Sequence, residues 1–93
     1  MTVGVLRLKL AILEAHSLKD KRRVIKSLKD RLSNTFNASV AEVAELDSWQ
    51  RCDLGIAVVA NEGRFAHECL DKVVDFVRRQ HGVTLVDYER EMY

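Results

Sequence analysis

The sequence places nearly half of its lysines and arginines in one short segment. Between residues 19 and 31 it carries seven lysines and arginines: Lys19, Lys21, Arg22, Arg23, Lys26, Lys29 and Arg31. Ammonium and guanidinium groups at this density bind phosphate, either in a nucleic acid backbone or as a small anion. On a helix with 100° per residue, the cations that share one stripe are Lys19, Arg22, Lys26 and Lys29.

A helix start immediately precedes these cations. Ser17 and Asp20 have the spacing of a capping box, in which the serine hydroxyl accepts a hydrogen bond from a first-turn amide. Free amides at a helix N-terminus attract phosphate, whereas cations in the first turn oppose the helix dipole by about 0.3–1 kcal/mol each. Such a conflict between local rules often marks a functional site. The residues predicted to bind RNA or a small anion are His16, Ser17, Lys19, Lys21, Arg22, Arg23, Lys26 and Lys29.

Other interpretations of the same segment stay open at this stage. Charge runs are common on small domains, so the cations could form a solvated helix face whose lysine stems cover apolar surface. The imidazole of His16 could adjust a phosphate site near neutral pH, or His16 could only position the turn into the helix.

No group of residues has the spacing of an enzyme active site. The serines lack a nucleophile elbow, and there is no glycine-rich phosphate loop. The three histidines lie at the ends of different elements: His16, His67 and His81. Four acids lie close together in sequence: Glu42, Glu45, Asp47 and Asp53. Acids turned outward on two successive strands are a commoner arrangement than paired catalytic carboxylates. We therefore predict no catalytic residue, no metal and no cofactor.

Hydrophobic periodicity assigns the rest of the chain to strands and helices. Alternation over Val3–Leu13 predicts a strand with Leu6, Leu8, Leu10 and Ile12 on one face. A helix over residues 18–34 follows, and its apolar arc is Leu18, Ile25, Leu28, Leu32 and Phe36, with Val24 at the edge. Strands are predicted over residues 38–45 and 52–60, a second helix from residue 61 to a stop at His81-Gly82, and a last strand from Val83.

This order of elements predicts one ferredoxin-like α+β domain over residues 1–93, with a four-stranded antiparallel sheet and both helices on one face. The predicted lining of the other, open face is Val5, Arg7, Lys9, Ala11, Leu13, Ala57 and Val59. This lining is too apolar for bulk water, so we expect a second subunit, in a homodimer, or another protein to cover part of it. Trp49, in the turn between the middle strands, is either a further interface residue or a lid on the core.

Composition and the spacing of apolar and cysteine residues exclude several classes of protein. The chain has 93 residues, of which 47% are apolar and 31% charged, which excludes a disordered chain. No long apolar stretch marks a signal peptide or a membrane span, so we expect a cytoplasmic protein that does not bind membranes. Cys52 and Cys69 have neither disulfide nor metal-knuckle spacing and are expected to be reduced and partly buried.

The formal charge of +1 is the sum of two unlike parts. Residues 1–33 hold nine basic and three acidic side chains, a net charge of +6, whereas residues 34–93 hold six basic and eleven acidic ones, a net charge of −5. A basic first helix on an otherwise acidic domain is therefore compatible with a nucleic acid partner.

The residues of the central strands indicate how the protein would contact RNA. RNA-recognition-motif domains share this order of elements and stack bases on aromatic side chains of their central strands. The corresponding strand here, residues 53–59, has no aromatic residue, and neither has the first strand. We expect contacts to backbone phosphates or to a structured RNA by shape, with little sequence readout and no DNA partner.

Several segments along nearly the whole chain resemble the YlxP family of small bacterial proteins. The matching segments are His16–Arg22, Val24–Leu28, Phe36–Val43, Asp47, Trp49–Gln50 and Leu54–Ala57, with Ala38 where valine is frequent. The resemblance implies a ferredoxin-like fold but no catalytic residue, because the family is of unknown function. The family's gene often lies beside that of ribosome-binding factor A, which implies a role in ribosome maturation or translation.

Three hypotheses follow in order of preference. The first is a non-enzymatic accessory protein that binds ribosomal RNA or a ribosomal subunit through the basic helix. The second is a homodimeric interaction module that binds a small anion at the helix terminus and does not bind nucleic acid. The third, a hydrolase of phosphate esters that uses His16, ranks well below them.

Overall fold

The computed structural model describes all 93 residues and has the predicted order of elements. The strands and helices are β1 (Thr2–Ala11), α1 (Leu18–Thr35), β2 (Ser39–Ala44), β3 (Arg51–Ala60), α2 (Gly63–Arg78) and β4 (Thr84–Met92). The sheet has the order β2-β3-β1-β4, and every neighbouring pair is antiparallel. Both helices pack on one face, so the predicted ferredoxin-like α+β fold is confirmed. No helix is both long and apolar enough to cross a membrane.

The core lies between the sheet and the helices, where the periodicity predicted it. On β1, Leu6 and Leu8 are completely buried, whereas Arg7 and Lys9 between them are exposed. The α1 residues Ile25, Leu28 and Leu32 and the α2 residues Ala66, Leu70, Val73 and Val77 cover this apolar face. Alternating burial on the strand and 3.6-residue periodicity on the helices therefore meet in one layer.

Most element boundaries agree with the predictions within two residues. Strand β1 ends at Ala11 instead of Leu13: the amide of Ile12 still donates to the carbonyl of Gln50 in line with the β1–β3 register, and Leu13 lies in the following turn. Helix α2 ends at Arg78, and Gly82 adopts a positive φ of 83° before β4 begins. The observed end of the helix therefore lies three residues before the predicted stop at His81-Gly82. Gly82 serves the turn into β4, where a left-handed conformation costs glycine little.

Three predictions about single side chains need correction. Trp49 is not a lid on the core, because 53% of it is exposed in the turn between β2 and β3. Leu13 lies beyond the strand and is not part of the open sheet face. Cys52 is completely buried, whereas Cys69 is partly buried as expected, and both are free thiols.

A candidate phosphate-binding surface on the first helix

The predicted capping box forms at the start of α1. The hydroxyl of Ser17 accepts a hydrogen bond from the amide of Asp20 at 3.0 Å. The carboxylate of Asp20 accepts one from the amide of His16 at 3.1 Å. The two hydrogen bonds satisfy two backbone donors and place a negative charge at the positive end of the helix dipole, but the second comes from the amide of His16 and not, as in a reciprocal capping box, from that of Ser17. The carboxylate of Asp20 therefore occupies the N-terminus of α1, and a small anion would gain less binding free energy there.

Lys21 does not belong to the surface, contrary to the prediction. Only 1% of it is exposed, because position 21 lies on the same helix face as Ile25 and Leu28. Its ammonium group donates a hydrogen bond to the carbonyl oxygen of Glu45 at 2.6 Å and lies 2.8 Å from Oε2 of Glu42. A cation held in this way joins α1 to β2 and cannot contact an external phosphate.

Glu42 also departs from the prediction that the acids turn outward. Its side chain lies on the helix-facing side of β2, and its Oε2 atom is buried with no hydrogen-bond donor other than the Lys21 ammonium in contact with it. The neighbouring thiol of Cys52 is affected: burial first, and then the charge of Glu42, raise the pKa of Cys52 to about 12. The three side chains form a buried structural cluster, with a thiol that stays protonated.

The other predicted cations remain available on the surface. Lys19, Arg22, Arg23 and Lys26 are exposed, and Lys29 is half-buried. Lys26 forms an exposed ion pair with Asp30 at 2.8 Å, and the hydrogen bond and charge of Asp30 raise the pKa of Lys26. An exposed pair of this kind is worth little and is readily exchanged for another anion. We call Lys19, Arg22, Arg23, Lys26 and Lys29 the basic surface.

Contacts of α1 with α2 show which way the basic surface faces. The guanidinium of Arg31 donates a hydrogen bond to the side-chain oxygen of Gln80, and the ring of Phe36 meets that of Phe76 edge to face at 5.7 Å. These contacts lie on the flank of α1 that faces α2. Arg22 and Lys29 lie on the opposite flank at 100° per residue and face away from α2, whereas Arg23 lines a depression with Val24 and Gly82.

A loop with an exposed aromatic side chain lies against the start of α1. The amide group of Gln50 donates to the carbonyls of Leu13 and Ala15 at 3.0 and 3.1 Å, and Lys21 holds the carbonyl of Glu45. Residues 45–50 are thus attached at both ends to the segment that carries the capping box. Trp49, in this loop, lies at the same end of the molecule as the first turn of the basic surface.

Sequence reasoning missed Gln50 and the inward position of Glu42. A signal existed for Lys21: residues 21, 25, 28 and 32 have the spacing of one helix face. His67 and His81 are exposed and lie apart from His16, and no three metal-ligating side chains come together anywhere in the structure. Nothing in this geometry activates a nucleophile or pairs two carboxylates.

The open sheet face carries the remaining predicted interface residues. Val5 and Ala57 are half-buried there, whereas Arg7, Lys9 and Val59 are exposed. The guanidinium of Arg7 donates two hydrogen bonds to Asp53, at 2.9 and 3.0 Å, across β1 and β3. Sequence reasoning did not foresee this pair, because it depends on the register of the two strands.

Comparison with known proteins relates the chain to a protein family, to a bacterial relative and to a solved structure. The profile of a family described as "Protein of unknown function (DUF503)" matches residues 3–90. A Bacillus subtilis (strain 168) protein, "Uncharacterized protein YlxP", is 36% identical over 75 residues, which cover 81% of this chain and 82% of the relative. Among solved structures, a de novo designed protein with a ferredoxin fold aligns with a TM-score of 0.54 at 16% identity, covering 99% of this chain and 85% of the designed one. That likeness concerns the fold alone.

Proposed function

Because the chain belongs to the DUF503 family of proteins of unknown function, we propose a function from its surface: it binds structured RNA through the basic surface of α1. The observation that supports this proposal is the separation of the α1 cations into two sets. Lys21 is buried and structural, whereas the five lysines and arginines of the basic surface are accessible to solvent along α1. Such a display is suited to the evenly spaced phosphates of a nucleic acid backbone.

The capping box favours a polyanion over a small anion. Asp20 already occupies the N-terminus of α1, so a single phosphate gains little from the helix dipole there. A nucleic acid strand can instead contact several exposed cations along the helix and release counterions from each phosphate. The RNA class suggested by the family resemblance is ribosomal RNA, alone or within a ribosomal subunit.

Trp49 adds a means of recognising an unpaired base. Its ring is 53% exposed and lies in the loop that Gln50 attaches to the start of α1. Single-stranded loops and bulges are commonly bound by stacking on such rings, while neighbouring cations hold the backbone. The sheet itself has no aromatic residue on β1 or β3, so stacking takes place beside the helix instead of on the sheet.

The chain's single tryptophan makes the proposal testable by intrinsic fluorescence. Purified ribosomal RNA is titrated into the protein at low salt, and binding is measured by tryptophan fluorescence and by filter retention. We expect saturable binding that the double variant Lys19→Glu/Arg22→Glu loses. The matched control is Lys72→Glu/Arg79→Glu, which makes the same charge change at exposed positions of α2 and beyond its end.

Circular dichroism confirms that each variant is folded before it is compared. Retention without a fluorescence change would assign binding to the cations and remove Trp49 from the site. Lack of binding by the wild-type protein at low salt would contradict the proposal. So would an equal loss in the two double variants, since binding would then depend on net charge and not on the basic surface.

A further inference from the structure

The open face of the sheet combines an apolar trough with an acidic row. Strand register brings Gly55 and Glu89 to either side of Arg7, and Ala57 and Glu91 to either side of Val5. The charged residues on this face are Arg7 and Lys9 of β1, Arg51 and Asp53 of β3, and Asp87, Glu89 and Glu91 of β4, and its central small or aliphatic residues are Val5, Ala41, Val43, Gly55 and Ala57. One half is therefore aliphatic and small, and the other half is charged.

The trough exists because β3 has small residues at its centre. It has a volume of about 270 Å³ and is lined mainly by Val5, Ala41, Val43, Gly55 and Ala57. A Cβ atom on Gly55 would lie only 3.0 Å from Cγ1 of Val43, so the absence of a side chain at this position is what lets Val43 lean over β3. The result is a recess wide enough for an aliphatic side chain from outside.

The acidic row adjoins this recess directly. A second depression shares Val5, Val43 and Gly55 with it and is bounded on the β4 side by Glu89 and Glu91. The cation beside Glu89 is Arg7, whose guanidinium is held by Asp53 at 2.9 Å, whereas Lys9 and Arg51 lie toward the other end of the face. The face as a whole has three cations and four carboxylates, a net charge of −1, and its acids are concentrated on β4.

We propose that this face binds a cationic segment of a partner protein, which inserts an aliphatic side chain into the trough and places lysine or arginine over Glu89 and Glu91. Charge complementarity identifies the occupant, because an apolar recess beside uncompensated carboxylates favours a partner of opposite charge and steers its approach. The proposal concerns the sheet face opposite the helices, so it does not depend on RNA binding by α1.

A second copy of the chain fits this face less well. An isologous contact brings the same face of both copies together, so that each copy adds its own acidic row and a net charge of −1. Attraction between the acidic row of one copy and the basic surface of another would be heterologous, since these surfaces lie on opposite sides of the sheet, and such contacts do not close into a dimer. The homodimer expected from the sequence therefore stays a prediction, and its formation is one of the outcomes that the experiment below distinguishes.

The experiment uses a short peptide in which lysine and leucine alternate, titrated into the isotope-labelled full chain. Amide chemical shifts are expected to change at Val5, Val43, Gly55 and Ala57 and not on α1. The variant Glu89→Gln/Glu91→Gln is expected to bind about tenfold more weakly, equivalent to about 1.4 kcal/mol. Its matched control, Glu68→Gln/Asp75→Asn, alters exposed acids of α2 and should bind like the wild-type protein.

Two further measurements separate the occupants. A lysine–serine peptide tests the trough: equal binding by this peptide would show charge attraction without insertion and would overturn the proposal. Sedimentation equilibrium tests self-association: a dimer whose formation shifts the same trough residues would show that a second copy is the occupant, which would also overturn it. The variant Lys19→Glu/Arg22→Glu should still bind the peptide, so failure of RNA binding and failure of this proposal are distinguishable.

Discussion

The buried ion pair between Lys21 and Glu42 is the most consequential contact made by a single side chain of α1. Removing one partner of a buried pair leaves the other charge without compensation, and this costs about 3–5 kcal/mol. Here the carboxylate oxygen at 2.8 Å has no other donor, and the carbonyl of Glu45 would keep only the amide of Ser48 as a donor. We therefore expect Lys21→Ala to lower the free energy of unfolding by about 3 kcal/mol, measured by urea denaturation.

Lys19→Ala is the matched control for this prediction, because Lys19 is exposed on the same helix turn. It should change the free energy of unfolding by less than about 0.5 kcal/mol. Equal stability of the two variants would contradict the structural role of Lys21. The double variant Lys21→Met/Glu42→Leu should recover much of the loss, since apolar side chains of similar size can replace a buried pair.

Cys52 gives a pH-dependent prediction. Its folded pKa is raised to about 12 from an ordinary value of 9.0, chiefly by burial. Between these values the unfolded chain loses the thiol proton and the folded chain keeps it, so the thiol's contribution to stability is present below pH 9.0 and falls as the pH rises toward 12. Urea denaturation at a series of alkaline pH values should show a steeper loss of stability for the wild-type protein than for Cys52→Ala.

Comparing the two slopes separates Cys52 from the lysines and tyrosines that titrate in the same range. Alkylation is a second readout: at mildly alkaline pH the folded protein should react at Cys69, which is partly exposed, and only the unfolded chain at Cys52. Parallel stability curves, or rapid alkylation of Cys52 in the folded state, would contradict the assignment.

The difference between exposed and buried cations on α1 was partly visible in the sequence. Periodicity places Lys21 with Ile25 and Leu28, but a lysine on an apolar face can also extend its ammonium group to solvent. Its burial requires an acceptor on another element. Glu42 and the carbonyl of Glu45 supply that acceptor from β2 and the following turn, and only the three-dimensional packing brings them to α1.

At the scale of elements, the start of α1 is determined by local chemistry. The Ser17 hydroxyl satisfies the amide of Asp20, and the Asp20 carboxylate satisfies the amide of His16, without help from the rest of the protein. Ser17→Ala should therefore lower the free energy of unfolding by about 1 kcal/mol, and Ser17→Gly by only a few tenths of that amount. Thermal and urea denaturation of both variants measure this difference, and an equal effect of alanine and glycine would show that the hydroxyl does not act as the cap.

Elements with strong periodicity were predictable, and elements that rely on their neighbours were less so. The alternation of β1 identified its buried face because four large apolar residues recur at every second position. The six residues of β2 have apolar side chains on both faces, and a register shift between Glu42 and Ala44 interrupts the pairing with β3. The inward position of Glu42 follows from that pairing, which no local pattern encodes.

At the scale of the whole molecule, the densest group of cations and the acidic row of β4 lie on opposite sides of the sheet. The basic surface lies on the helix side, and the acidic row of β4 lies on the open side. The charge count along the sequence predicted a basic first helix on an otherwise acidic domain. It did not predict that β4 alternates three acids onto the open face, since this requires the register of β4 against β1.

The salt dependence of RNA binding tests whether RNA contacts the basic surface itself or responds to the net charge of the domain. If four cations of the basic surface each neutralise one phosphate, the logarithm of the association constant falls by about 3 for each tenfold rise in salt, and binding weakens about 50-fold between roughly 50 and 200 mM salt. Lys19→Ala should reduce the slope by about 0.7, the contribution of one phosphate. Arg79→Ala removes an equal charge beyond the end of α2 and should leave the slope unchanged. Identical slopes for the two variants would mean that RNA responds to the net charge of the domain, and the basic surface would then be no more than a solvated helix face.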